Sequence, residues 1–599
     1  WANLDKSQTA LLNQASDGTV DNEGELRLAY LRGDRSQEQS NGGGFRNRMG
    51  LLGDVVDATP VYVGPPDRFY PAHWDDLTIS NDSAPENLPS DGTYDAFKTA
   101  HSNRAGVVYV GANDGMLHAF DAATGNELFA YVPSAVYDHL SDLTDPSYGH
   151  RFYVDGTPTE GDAFFDSAWH TVLVGGLRAG GQGIYALDIT DVPGASAGET
   201  SVAAKVLWEF TDADDPDLGY TYSKPQIVRL HNGQWAAVFG NGYNNTESDG
   251  HASTTGDAVL YIVNIADGSL IKKIDTGKGM ASDPLKLNRP NGLATVTPAD
   301  IDGDGIVDYF YAGDLFGNLW KFNVKDSSSG KWVVAYNAPL FTAVDAKGNA
   351  EPITAAPSIR RHPTGAGYLL MFGTGKYLEN NDAIISSNIQ SIYGIWDRDG
   401  SALKSFTRSN LLQQSILQTT TADGTDYRVV TDNPITWASS DPTKSPGSGQ
   451  YLGWYLDLLA GEMQVTDSLL RGDRLILTTL IPNDDPCSLG GDSWLMVLNY
   501  DNGGRFNPPV FDTNNDGVFG LADLVETTNS DGTKESVSVS GQKSKSGILQ
   551  TPTLSSLPNA DRAYLGGSDG KGTNCAGQDC TDIGRDPALR NRQSWLQLR

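Results

Sequence analysis

At 599 residues the chain exceeds one ordinary core, although a large all-β repeat fold can use that length as a single domain. Lysine and arginine total 43 against 75 aspartates and glutamates, a formal net charge of -32 that disfavours nucleic-acid backbones and anionic membranes as partners and favours metal cations. With 67 glycines, 12 tryptophans, 25 tyrosines and no apolar run long enough to span a bilayer, the composition predicts a soluble, β-rich protein of short strands and tight turns.

Residues 1–50 differ from the rest of the chain and read as an N-terminal extension, with short helices predicted over 7–14 and 23–31 and a polar, glycine-rich stretch at 40–44. The chain starts at Trp1 rather than Met, so its N-terminus carries no readable localisation signal. Within this extension lies Arg32-Gly33-Asp34, a tripeptide that integrin-type receptors read by pairing the aspartate with a bound metal and the arginine with acidic groups. A second copy, Arg471-Gly-Asp473, abuts an apolar strand and reads as structural.

From Asp54 a phrase recurs in which, typically, a small residue or threonine precedes proline and an extended apolar segment comes next. The instances are Thr59-Pro60, Thr157-Pro158, Lys224-Pro225, Thr297-Pro298, Ala356-Pro357 and Thr551-Pro552, whose prolines lie 98, 67, 73, 59 and 195 residues apart. The last interval has room for two units, and Gln464-Val-Thr-Asp-Ser468 before Arg474-Leu-Ile-Leu-Thr-Thr479 supplies a proline-less copy near its middle. Each unit also carries a strand ending in glycine, a turn and a strand with an aromatic, clearest at 107–121 and 309–322, which are hairpin patterns. Seven such units predict an all-β, modified seven-bladed β-propeller over 51–599, with irregular blades and loop insertions at 65–103, 325–345 and 400–450. A short helical signal falls at 411–416 and a Ser/Pro/Gly loop at 439–450. An irregular β-sandwich is the competing architecture.

Two acidic loops carry the chemistry. In Asp300-Ile-Asp-Gly-Asp-Gly-Ile-Val-Asp308 the carboxylates of Asp300, Asp302, Asp304 and Asp308 occupy loop positions 1, 3, 5 and 9; Gly305 takes the sharp turn at 6, and the Ile306 carbonyl faces inward at 7. Calcium needs six to eight oxygens, and alternate residues of a tight loop converge to supply them. Position 12 is Tyr311, so the motif is shorter than an EF-hand, and its flanks predict strands rather than helices. The second loop, Asp512 to Asp523, places Asp512, Asn514, Asp516 and Asp523 at positions 1, 3, 5 and 12 with the Val518 carbonyl at 7, and a short helix is expected from Leu521. Three cysteines occur; Cys575 and Cys580 are spaced for a small disulfide loop, with Cys487 left unpaired or joined elsewhere, and no suitably spaced histidines support zinc.

Several of these stretches together resemble the C-terminal propeller of the PilY/PilC family of type IV pilus biogenesis and tip-associated adhesin proteins. They are 51–64, 107–125 with Ala130-Tyr-Val-Pro133, the Asp300–Asp308 loop with 313–322, and Gly453-Trp-Tyr-Leu-Asp457. The resemblance covers nearly the whole chain from residue 51. It implies a modified, quinoprotein-like seven-bladed propeller, a Ca2+ loop at Asp300, Asp302, Asp304, the carbonyl of Ile306 and Asp308, and no catalysis. It also implies pilus components such as tip minor pilins as partners, calcium control of pilus extension, retraction and twitching, host-cell attachment, and a surface location reached through the periplasm. A large N-terminal region of full-length members is not in this chain.

The alternative is a quinone-dependent dehydrogenase, because the VGANDG and AFDAATG phrases also resemble quinoprotein repeats; such enzymes hold their cofactor with adjacent cysteines, and none exist here. A hydrolytic or carbohydrate-binding propeller would need paired carboxylates whose separation a sequence does not give. His118 and His170 lie in or beside strand patterns and read as structural, and there is no serine nucleophile elbow and no phosphate loop.

Overall fold

The structure, a computed structural model, describes residues 1–79, 84–87, 92–194, 198–383, 388–400, 407–483, 490–528, 532–568 and 580–585. They fall into two compact units: residues 1–308 with 324–332, and residues 309–323 with 333–599.

The first unit begins with α1 (Lys6–Leu12) and α2 (Gly24–Leu31), where the sequence predicts them. Asp5 caps α1 in a capping box with Gln8. Three antiparallel sheets come next, in which chain order and sheet order coincide. The first holds β1 (Val61–Val63), β2 (Val107–Ala112), β3 (Met116–Asp121) and β4 (Glu127–Tyr131). The second holds β5 (Thr159–Phe165), β6 (Ala168–Gly176), β7 (Gly183–Asp188) and β8 (Val206–Thr211). The third holds β9 (Gln226–Arg229), β10 (Trp235–Gly240), β11 (Val259–Asn264) and β12 (Leu270–Asp275). The predicted 107–121 hairpin is present with Val107 opposite Asp121 and Ala112 opposite Met116, and Gly115 takes the left-handed φ of +92° that its turn requires. Leu12 joins the core beneath the first two sheets, while a second core gathers Trp169, Trp208, Trp235, Phe239 and Tyr261.

Pro60, Pro158 and Pro225 immediately precede β1, β5 and β9, and each of these strands is an edge of its sheet. Proline has no N–H to give a ladder, so a strand's start at a sheet edge is where it costs least. The first insertion crosses this unit with α3 (Tyr94–Ala100), and a shorter helix, α4 (Glu199–Ala203), precedes β8. Strand β13 (Thr297–Ala299) ends directly before the first acidic loop.

In the second unit, β14 (Tyr309–Gly313) and β15 (Asn318–Asn323) form the other well-marked hairpin, extended by β16 (Val333–Val334) and β17 (Phe341–Thr342). Next come β18 (Ser358–Arg361), β19 (Tyr368–Gly373), β20 (Ser391–Asp397), β21 (Leu412–Gln414), β22 (Ile416–Ala422), β23 (Thr425–Val430) and β24 (Gly453–Asp457). They are followed by β25 (Leu469–Arg471), β26 (Arg474–Pro482), β27 (Gly491–Asn499), β28 (Val525–Thr528), β29 (Lys534–Val537), β30 (Gly541–Lys543), β31 (Thr553–Ser556), β32 (Ala560–Tyr564) and β33 (Cys580–Gly584). They build a sheet of order β18-β19-β20-β24-β21, a six-stranded sheet of order β22-β23-β30-β27-β26-β25, the three-stranded β31-β32-β33 and a ribbon of β28 and β29. Pro357 and Pro552 again stand just before edge strands, β18 and β31; the proline-less copy at 464–468 leads into β25, also an edge.

The helical signal at 411–416 is not borne out. Those residues supply β21, which lies parallel to β24 with Leu412 opposite Trp454, and the start of β22. The side chain of Gln414 is fully buried and donates to the carbonyls of Asn433 and Asn502, so tertiary contacts override a weak local preference. Cys580 is disulfide-bonded; Cys487 and Cys575 lie outside the described residues. Among the described residues no helix is long and apolar enough to cross a membrane.

Candidate metal centre

The loop after β13 closes on itself through the Asp308 N–H, which donates to the Ala299 carbonyl at 3.0 Å. Asp300 organises its interior: Oδ1 accepts from the Gly303 N–H at 2.7 Å and Oδ2 from the Gly305 N–H at 2.8 Å. Both glycines are left-handed, with φ of +84° and +86°, a geometry that a side chain would strain. Asp304 Oδ1 accepts from the Ile306 N–H at 2.8 Å, which sends the Ile306 side chain into the core beside Trp74.

The result is convergence. Among the described residues, the one group of three or more His, Cys, Asp or Glu whose ligand atoms lie within 4.8 Å of one another is Asp300, Asp302 and Asp304. Oxygens bound to one calcium at 2.3 to 2.6 Å stand at most about 5.2 Å apart, so this trio fits a single hard cation. Burial and the neighbouring charges of Asp304, Asp308 and Asp300 push Asp302 up to about 6, and burial is the largest of the effects that raise Asp304 as well. Mutual repulsion of this kind is what a bound cation would relieve.

Asp308 is at the expected position in the loop but turned differently. Its side chain is wholly buried; Oδ2 accepts from the Ile301 N–H at 2.8 Å, while Oδ1 faces His231 Nε2 at 3.3 Å and Lys325 Nζ at 3.6 Å. His231 is itself held by Asp76, whose Oδ2 lies 2.6 Å from Nδ1. Burial alone would lower the His231 pKa, but contact with Asp308 and Asp76 outweighs it and raises it. Asp304 is also bonded from outside the loop, the Leu77 N–H donating to its Oδ2 at 2.9 Å. His231, Asp76 and Leu77 carry no sequence signal of this role, because each reaches the loop only through the fold.

The second loop repeats the hydrogen bonding. Asp512 accepts from the Asp516 and Gly517 N–H groups at 3.2 and 2.7 Å, Asp516 Oδ1 from the Val518 N–H at 2.8 Å, and Asn514 Oδ1 from the Asp516 N–H at 2.9 Å. Asp523, buried in the 3₁₀ turn Leu521–Asp523, accepts from the Thr513 and Gly520 N–H groups, both at 2.8 Å. The carboxylates of Asp512, Asp516 and Asp523 do not converge as those of the first loop do.

Arg32-Gly33-Asp34 forms the end of α2. The Asp34 N–H bonds the Ala29 carbonyl and the Gly33 N–H bonds the Tyr30 carbonyl, a Schellman motif whose glycine sits at φ +99°. Arg32 and Asp34 are exposed, and Arg32 pairs with Glu199. In the second tripeptide Gly472 and Asp473 form the two-residue turn between β25 and β26, and Arg471 bonds Ser556 and pairs with Asp561, in line with a structural role. His118 is clamped between Asp114 and Glu127, and His170 bonds Asp188 and stacks on Phe165.

Serial antiparallel sheets entered at a proline-marked edge, with an oxygen-donor loop between β13 and β14, define a β-propeller protein with a candidate hard-cation site. The model of the PilY1 β-propeller domain matches residues 52–425, and the chain belongs to that family. It is 39% identical over 636 residues to the type IV pilus biogenesis factor PilY1 of Pseudomonas aeruginosa strain PAK, covering 100% of this chain and 49% of that protein. It is 37% identical over 601 residues to a PilY1 homolog of Xylella fastidiosa, covering 95% of this chain and 38% of the homolog. The crystal structure of the P. aeruginosa PilY1 C-terminal domain superposes with a TM-score of 0.66 at 35% identity, covering 88% of this chain and 99% of that one. The chain thus spans about half the length of the curated relatives it matches.

Proposed function

We propose that this chain is a non-catalytic calcium-binding module of a type IV pilus biogenesis factor, in which occupancy of the Asp300–Asp308 loop regulates pilus extension and retraction. The observation that supports it is the convergence of Asp300, Asp302 and Asp304 within 4.8 Å on a loop of a PilY1-family propeller. Asp300, Asp302 and Asp304 would hold the cation with the Ile306 carbonyl, and Asp308 would complete the charge. The cation would offset repulsion among the carboxylates and stabilise the folded loop by mass action, which makes occupancy a switch. The partners in this reading are pilus components at the cell surface, the relatives being named for pilus biogenesis. Loop Asp512–Asp523 would take a second Ca2+ only after its carboxylates close in. Attachment to an integrin-type receptor through Arg32, Gly33 and Asp34 rests on the exposure of its two charged ends.

Calorimetric titration of chelator-stripped protein with calcium tests the site, with Asp302→Ala alongside. Saturable binding that the variant loses supports the reading, and loss of twitching in cells carrying the variant in the full-length protein extends it to the pilus. Absence of heat and of any thermal shift sinks it. Bound quinone absorbance in purified protein would instead favour the dehydrogenase alternative.

A further inference from the structure

The insertion before β2 touches the acidic loop with three kinds of contact. The Leu77 N–H donates to Asp304 Oδ2 at 2.9 Å. Asp76 holds His231 at 2.6 Å, and His231 faces Asp308 at 3.3 Å, with all three side chains buried. The Trp74 ring covers the loop's turn so closely that a Cβ on Gly305 would meet it at 3.1 Å, and Trp74 shares a core with Ile306.

This segment is itself firmly held. The Trp74 N–H donates to Asn87 Oδ1 at 2.7 Å, and the Asn87 amide returns a bond to the Trp74 carbonyl at 2.6 Å. Thr78 Oγ1 donates to Asp76 Oδ1 at 2.7 Å and lies 3.0 Å from His231 Nδ1. Glu86 accepts from Trp235 Nε1 at 2.7 Å and from Arg229 Nε at 3.2 Å, and the Arg229 carbonyl accepts the Val307 N–H at 3.0 Å. Insertion, β9, β10 and loop therefore form one bonded body.

We propose that His231 and the segment Trp74–Thr78 are positioning elements for the cation loop, and that this segment is the part of the surface that cation occupancy reorganises. The inference rests on the calcium reading above. Asp304 is divided between the loop and the segment: one oxygen holds the Ile306 N–H and the other the Leu77 N–H. A cation drawing on Asp304 fixes the carboxylate and with it the Leu77 backbone. Asp308 Oδ1 makes no hydrogen bond but is faced by His231 Nε2 at 3.3 Å and Lys325 Nζ at 3.6 Å, so a cation that recruits it changes the charge that His231 meets and, through His231, bears on Asp76. Second-layer partners of this sort orient ligands and tune metal affinity. Leu77, 65% exposed, carries the consequence to the surface.

Amide hydrogen exchange over residues 74–79, with calcium and with chelator, reads this directly. Calcium should slow exchange at Leu77 and Thr78 by about tenfold. His231→Gln and Asp76→Asn should weaken calcium binding several-fold in calorimetry and abolish the protection; each also lowers the chelator-treated unfolding midpoint, as a substitution in a buried pair does, so affinity and exchange are read at a temperature where circular dichroism shows the variant folded. Calcium binding with unchanged exchange over 74–79, or wild-type affinity in both variants, overturns the coupling and leaves the calcium site standing. Failure of chelator-stripped wild type to bind calcium overturns the coupling together with the reading on which it rests.

Discussion

The two acidic loops share a hydrogen-bond plan and differ in what lies around them. In each, the first aspartate accepts from the glycine at position 6, the carboxylate at position 5 accepts from residue 7, and the last aspartate, buried, accepts from residue 2. Yet residue 7 is fully buried in the first loop, as Ile306, and 63% exposed in the second, as Val518. Trp74, Leu77 and His231 wrap the first loop, whereas in the second Asn515 reaches Asp423 and Leu521 stands 86% exposed. Local sequence sets the turn; packing around it decides whether carboxylates are pressed together without a cation.

The largest expected difference between the loops is in the core. Ile306→Ala should cost about 2–5 kcal/mol by denaturant unfolding, since it leaves a cavity beside Trp74, while Val518→Ala should stay within about 0.5 kcal/mol. Equal costs would break the comparison. Calcium at a hundredfold over its Kd should stabilise the protein by about 2.7 kcal/mol through the first loop, an effect that Asp302→Ala removes and Asp516→Ala leaves largely intact.

A pH control sits away from both loops. Burial opposes the charge on His118, but Asp114 and Glu127 raise its pKa to about 9. That raised pKa adds stability that is complete below the ordinary value near 6.5 and lost as pH rises through about 9, on the order of 2–3 kcal/mol at most. Unfolding free energy measured between pH 6 and 10 should fall across that window, and His118→Gln should flatten the slope. The smallest effect is at Arg32-Gly33-Asp34: Asp34→Asn should leave the unfolding midpoint unchanged, because its side chain is exposed and accepts from the Ser36 N–H two residues on.

Much of the fold is legible because its units repeat. Proline before a strand marks a sheet edge for a backbone reason, and five described edge strands follow that rule. The hairpins at 107–121 and 309–322 are written in alternation and turn residues. Residues 411–416 are not legible, because a parallel partner distant in sequence, β24, and not any local preference, makes β21 a strand; Leu412 pairs with Trp454 only in the folded sheet. At the candidate site, the spacing of Asp300, Asp302 and Asp304 forecasts their convergence. The turning of Asp308 toward His231 is invisible in the sequence, since His231 lies 77 residues earlier in the chain, just after β9. The Gly33 of the tripeptide is likewise explained by the left-handed end of α2, a role that spacing alone does not separate from a receptor motif.

Whether the first loop holds calcium is the question on which the proposed function depends. Protein dialysed to equilibrium against calcium and analysed by atomic emission gives the number of ions retained per chain in wild type, Asp302→Ala and Asp516→Ala. Asp302→Ala should retain one ion fewer than wild type at the tightest-binding concentration, with Asp516→Ala unchanged there. Equal retention in wild type and Asp302→Ala, or loss in Asp516→Ala alone, would contradict a calcium site at the first loop.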